Sequence, residues 1–71
     1  SLILQLAQAD PVMAFSLGEI MATYNPKSYD FQIGVANLAS KMRMKEKSIY
    51  YAQKALEIKP DDEMALKFIG N

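Results

Sequence analysis

Asp61, Asp62 and Glu63 stand side by side directly after Pro60, and they are the densest group of potential acids, bases or cation ligands in the chain. A catalytic carboxylate pair needs two groups converging in a pocket with one pKa raised above the other. Three consecutive acids after a proline meet a simpler requirement, because they stabilise the positive end of a helix that starts there. The second charged cluster is basic: Lys41, Arg43, Lys45 and Lys47 surround what reads as a turn between two helices. It could receive a phosphate or an acidic peptide, but it also suits a solvated turn complementing a helix C-terminus. Hydroxyls such as Ser40 have no histidine to activate them, since histidine and cysteine are both absent. That absence removes disulfides, Cys/His zinc sites and imidazole acid–base chemistry. Gly18, Gly34 and Gly70 are isolated within helical patterns, so no glycine-rich phosphate loop is present. The expectation is a protein that is not an enzyme and that has no metal and no cofactor.

The elements that position these side chains are helices. With 71 residues, 51% of them hydrophobic, the chain supports one small folded domain. Asp10-Pro11 reads as an N-cap followed by a first-turn proline, while Asn25-Pro26 and Lys59-Pro60 close what precedes them. Between these marks the apolar spacing steps by three and four. Over 11–24, Ala14, Leu17, Gly18 and Met21 share a face opposite Ser16, Glu19 and Thr23. Over 27–41, Phe31, Val35, Leu38 and Met42 oppose Asp30, Gly34, Asn37 and Lys41. Over 45–58, Ser48, Ala52, Ala55 and Ile58 form a stripe of mostly small residues, with Lys47, Tyr50, Lys54 and Glu57 facing away. Of the methionines, Met13, Met21 and Met42 are expected in the core, with Met44 and Met64 exposed. No alternation of period two is sustained. The reading is all-α, with about five helical segments, the first and last cut short by the chain ends.

Eight basic and eight acidic side chains leave no net charge, which argues against nucleic acid or an anionic membrane as the main partner. The apolar cluster Leu2, Ile3, Leu4, Leu6 and Ala7 has no basic lead and is interrupted by Gln5, so it reads as neither a signal peptide nor a membrane span.

Pro26 and Pro60 lie 34 residues apart, and each closes a helix. Such a period fits two antiparallel helices and their turns. The stretch from Ser48 to Pro60 resembles the second helix and closing proline of the tetratricopeptide repeat family. Pro60 to Asn71 resembles the start of the next repeat, with Leu66 at the family's aromatic position and Ile69-Gly70 at its Leu-Gly pair. In the complete unit the same places fall on Gln32, Val35 and Ala36, with Ser48 and Ala55 at the small-residue positions. Gln32 stands where an aromatic or leucine is usual, Ala39 where tyrosine is common and Ala52 where an aromatic is common. Arg43-Met44-Lys45 replaces the usual Gly-Asp turn. In the earlier unit Ala14 fits a small position, and Met21 replaces the usual alanine.

The resemblance implies a single domain over 1–71, an α-solenoid segment of antiparallel helix–turn–helix units. It divides into a partial repeat over 1–26, a complete one over 27–60 and the start of another over 61–71. It further implies a protein-interaction module that holds a peptide or helix in a concave groove lined by the first helix of each unit. That groove would present Asp30, Ile33, Asn37, Ser40 and Lys41, then Met64, Lys67, Phe68 and Asn71. Asn37 matches a groove asparagine that contacts peptide backbone in some members, but Ile33 and Phe68 stand where a two-carboxylate clamp needs lysine and asparagine. Lys67 and Asn71 have the spacing to begin such a clamp. The alternative is a purely structural segment of a longer scaffold without its own ligand. Because each helix pair needs a neighbour for its second face, the chain is expected to belong to a longer array or to cover its ends by self-association.

Overall fold

The computed structural model describes residues 10–70, which form an all-α domain of four helices with no strand among them. They are α1 (Pro11–Tyr24), α2 (Tyr29–Lys41), α3 (Lys45–Ile58) and α4 (Glu63–Gly70). The apolar cluster Leu2–Ala7, expected as a first helical segment, lies outside the described residues, as does Asn71.

Each boundary follows from local chemistry. Asp10 caps α1, its carboxylate accepting the Met13 N–H at 3.1 Å, with Pro11 in the first turn. Asn25 closes the helix by bonding the Met21 carbonyl with both its backbone N–H and its amide group. Ser28 N–H bonds the Asn25 carbonyl, so α2 begins at Tyr29, two residues later than the pattern suggested. Asp62 caps α4 by accepting the Ala65 N–H at 2.9 Å, which singles it out from the acidic trio after Pro60.

The turn between α2 and α3 lacks glycine. Arg43 adopts φ +59°, the left-handed region. Met44 N–H reaches back to the Ala39 carbonyl and Arg43 N–H to that of Ser40, the paired bonds of a Schellman motif. This turn folds Met44 back against the core. Met44 was expected in solvent and is half-buried; Met13 was expected inside and is 57% exposed. No described element packs on the Met13 side of α1.

Successive helices run antiparallel, as their pairings show. Val35 lies against Gly18, and Gln32 against the later Ala22. Ser48 bonds the Ala36 carbonyl, while Lys59 at the end of α3 stacks on Tyr29 at the start of α2. A Cβ on Gly18 would stand 3.1 Å from the Val35 side chain, so the absent side chain lets α1 and α2 approach. Helices α2 and α4 also touch, although α3 lies between them in the sequence.

The buried stripes are narrower than the apolar pattern and turned from it. On α1 they comprise Ala14, Phe15, Gly18 and Ala22, with Leu17 and Met21 only half-buried. On α2 they comprise Gln32, Val35, Ala36 and Ala39, flanked by half-buried Phe31, Leu38 and Met42. On α3 they comprise Ser48, Tyr51, Ala52 and Ala55, with Ile58 half-buried. Small residues occupy the helix contacts because they bring the axes close, and longer apolar side chains fill the margins.

Candidate functional site

Two surfaces are built by more than one helix. The first is the exposed side of α2. Asp30, Ile33, Asn37 and Lys41 recur there at helical spacing. Asp30 and Lys41 are exposed, whereas Ile33 and Asn37 are half-buried, Ile33 resting on the core. From the adjacent α4, Met64 and Lys67 are exposed and Phe68 is half-buried against the core. Asn71 lies outside the described residues.

At one end of this side the structure opens a cleft of about 320 Å³, lined by Ser40, Arg43, Lys45, Ser48, Lys67 and Phe68. It draws on the last turn of α2, the left-handed turn, the start of α3 and the middle of α4. Thus Lys67, 24 residues from Arg43 in the chain, joins part of the basic cluster. Lys41 and Lys47 do not line the cleft. Lys47 turns to the other side of the molecule, where its ammonium pairs with Glu19 at 2.9 Å and lies over the Phe15 ring.

Two tyrosine–carboxylate pairs hold this frame. The Tyr29 hydroxyl donates to Asp62 at 2.7 Å, while the Lys59 ammonium lies 3.9 Å from the ring centre. Burial first, then the bond to Asp62 and its negative charge, push the Tyr29 phenol up to about 12. The Tyr51 hydroxyl donates to Glu19, and burial followed by that bond raises its pKa as well. Neither phenol is an acid–base candidate near neutrality; both act as fixed donors.

Gln32 was read as a polar residue at an apolar position. It is buried, and its amide nitrogen donates to the Ala22 carbonyl at 3.0 Å and the Asn25 carbonyl at 3.2 Å. It satisfies acceptors that the end of α1 leaves without helical partners. Among the described residues every buried side-chain nitrogen and oxygen has a hydrogen-bond partner.

No group of three or more acidic, histidine or cysteine side chains converges among the described residues, and no helix there is long and apolar enough to cross a membrane. Comparison with protein-family models, with curated proteins and with solved structures finds no match to this chain.

Proposed function

We propose that this chain is a tetratricopeptide-like helical-repeat module that binds a peptide or helix of a partner protein along the exposed side of α2 and α4. One observation carries the reading. The seven places of the complete unit that the resemblance marks as packing positions, Gln32, Val35, Ala36, Ala39, Ser48, Ala52 and Ala55, are all buried. A repeat register that was wrong by one residue would have turned several of them to solvent. The contact between α2 and α4 supports the same reading, because stacked helical pairs bring their first helices together to line one surface.

That surface mixes the apolar Ile33, Met64 and Phe68 with the polar Asp30, Asn37, Ser40, Lys41 and Lys67. Such a mixture suits an extended or helical peptide, whose backbone needs hydrogen bonds and whose side chains need apolar contact. Titrating the ¹⁵N-labelled chain with peptides selected from a displayed library tests the proposal. Shift changes should cluster on Asp30, Ile33, Asn37 and Lys41. Changes centred on Lys47, Tyr50 and Lys54 would make the opposite face the binding surface.

The structural-segment reading has one observation in its favour. Val12, Met13, Ile20 and Tyr24 on α1 and Leu66 on α4 are all about half exposed or more, and apolar side chains there would suit stacking against further repeats. Restored or strengthened stability on fusing an additional repeat to either end, with no peptide binding, would favour it.

A further inference from the structure

We infer that the cleft between α2, α3 and α4 receives an acidic segment of the partner peptide, an Asp or Glu carboxylate meeting Arg43, Lys45 and Lys67 while a neighbouring apolar side chain lies on Phe68. This rests on the peptide-binding reading and adds the chemistry of the ligand.

Charge is the first support. The chain as a whole is neutral, yet three of its eight cationic side chains line this one cleft, and no carboxylate is among the described residues that line it. They come from a turn and two helices, so they are not the incidental face of one helix. Converging cations beside low-dielectric walls raise the local concentration of anionic ligands.

The second support is conformational. Arg43 occupies the left-handed region, where a non-glycine residue is disfavoured and glycine is the usual choice. A guanidinium therefore stands at the cleft at some cost to the fold.

Shape and composition settle the class of ligand. A cleft of about 320 Å³ has room for one or two side chains and not for a folded domain. Phe68 and the alkyl stems that lysine and arginine carry supply apolar surface to its lining, which also includes Ser40 and Ser48. A single-stranded nucleic acid calls for a longer basic track and successive aromatic platforms, and Phe68 is the single aromatic among the described residues that line this cleft.

The experiment uses the chain with three fluorescein-labelled peptides: a Glu-Leu repeat, its Gln-Leu counterpart and a Lys-Leu repeat. Fluorescence anisotropy should show binding of the Glu-Leu peptide alone, weakened severalfold when ionic strength rises from about 0.05 M to about 0.5 M. Arg43→Gly and Lys45→Gln should each weaken it by roughly threefold to tenfold, while Lys27→Gln in the α1–α2 turn should leave it unchanged. Arg43→Gly removes the charge without straining the backbone, so lost binding in that variant is not lost folding. Equal binding of the Gln-Leu peptide, with shift changes on Ile33 and Asn37, would overturn the inference and leave the groove reading standing. Binding of none of the three peptides would overturn the inference, and the groove reading would fall as well only if library-selected peptides also gave no shift changes on Asp30, Ile33, Asn37 and Lys41. A short RNA oligonucleotide that displaces the Glu-Leu peptide at lower concentration would also overturn it, in favour of a nucleic-acid ligand.

Discussion

The Tyr51 hydroxyl donates to Glu19 Oε2 over 2.8 Å, joining α3 to α1 across 32 residues of sequence. The same carboxylate accepts two bonds from the Lys47 ammonium, at 2.9 and 3.0 Å. Helices α1 and α3 are thus tied together by one acid with two partners. Tyr29 and Asp62 form a similar tie 33 residues apart, between the start of α2 and the cap of α4. Each tie joins segments that are distant in the chain, so both depend on the tertiary packing of the helices.

Glu19→Ala should destabilise the fold by about 1–3 kcal/mol, because it leaves the Tyr51 hydroxyl of a 6% exposed residue without its acceptor. Tyr51→Phe removes donor and need together and should cost only about 1 kcal/mol. The double variant should be less destabilised than the two singles added, by at least about 0.5 kcal/mol. Strict additivity in urea denaturation would show that the bond contributes nothing.

Helix limits and class were legible in the sequence because prolines, caps and period act locally. Asp10-Pro11, Asn25-Pro26 and Lys59-Pro60 each end or begin a helix within a residue or two of the expected place. The faces were less legible. Hydrophobicity alone selects Phe31, Leu38 and Met21, but close helix contacts select the smallest side chains; Ala36, Ser48 and Ala55 were legible as such, whereas Ala22 on α1 was not. Tyr51 was missed because it is adjacent to the exposed Tyr50, and only its partner Glu19 on another helix makes burial affordable for a hydroxyl. The cleft was half legible. The sequence shows Arg43 and Lys45 together, but bringing Lys67 to them requires the fold.

Gln32→Leu, which replaces the buried amide with an apolar side chain, should destabilise by about 1–3 kcal/mol. The Ala22 and Asn25 carbonyls would lose the donor that now serves both, and leucine brings none. Gln32→Glu should be worse, since a carboxylate has no N–H and faces two carbonyl oxygens. A leucine variant more stable than the parent in chemical denaturation would contradict this account.

Alkaline pH should weaken the fold through Tyr29. Its phenol is raised from 10.0 to about 12, so the folded state favours the protonated form. That stabilisation is complete below pH 10 and is lost as the pH climbs through about 12. Tyr51 acts in the same direction. Urea midpoints measured from pH 8 upward should fall more steeply for the parent than for Tyr29→Phe. Identical slopes would remove Tyr29 from the explanation.

Ala55 is fully buried in the contact between α3 and its neighbours, whereas Lys54 is half-buried with its ammonium over the Tyr50 ring at 5.6 Å. Ala55→Phe should cost about 1–3 kcal/mol by overpacking. Lys54→Phe should cost under about 0.5 kcal/mol. Equal losses in the two variants would mean that the face of α3 assigned to the core is wrong.

Arg43→Gly should separate stability from binding. At φ +59° an arginine is held where its Cβ crowds the backbone, and glycine avoids that contact. Glycine also gains freedom in the unfolded chain, which offsets part of the benefit. The net expectation is a stabilisation of about 0.5–1 kcal/mol, seen as a higher midpoint in urea with an unchanged slope. The Schellman bonds from Met44 to Ala39 and from Arg43 to Ser40 use backbone groups only, so they survive the change. Arg43→Ala keeps the backbone strain and loses the charge, so it should not be stabilised. If both variants were equally stable, strain at this turn would not be the reason that glycine helps. If glycine were destabilising, the guanidinium would have to be holding the turn together through its side chain.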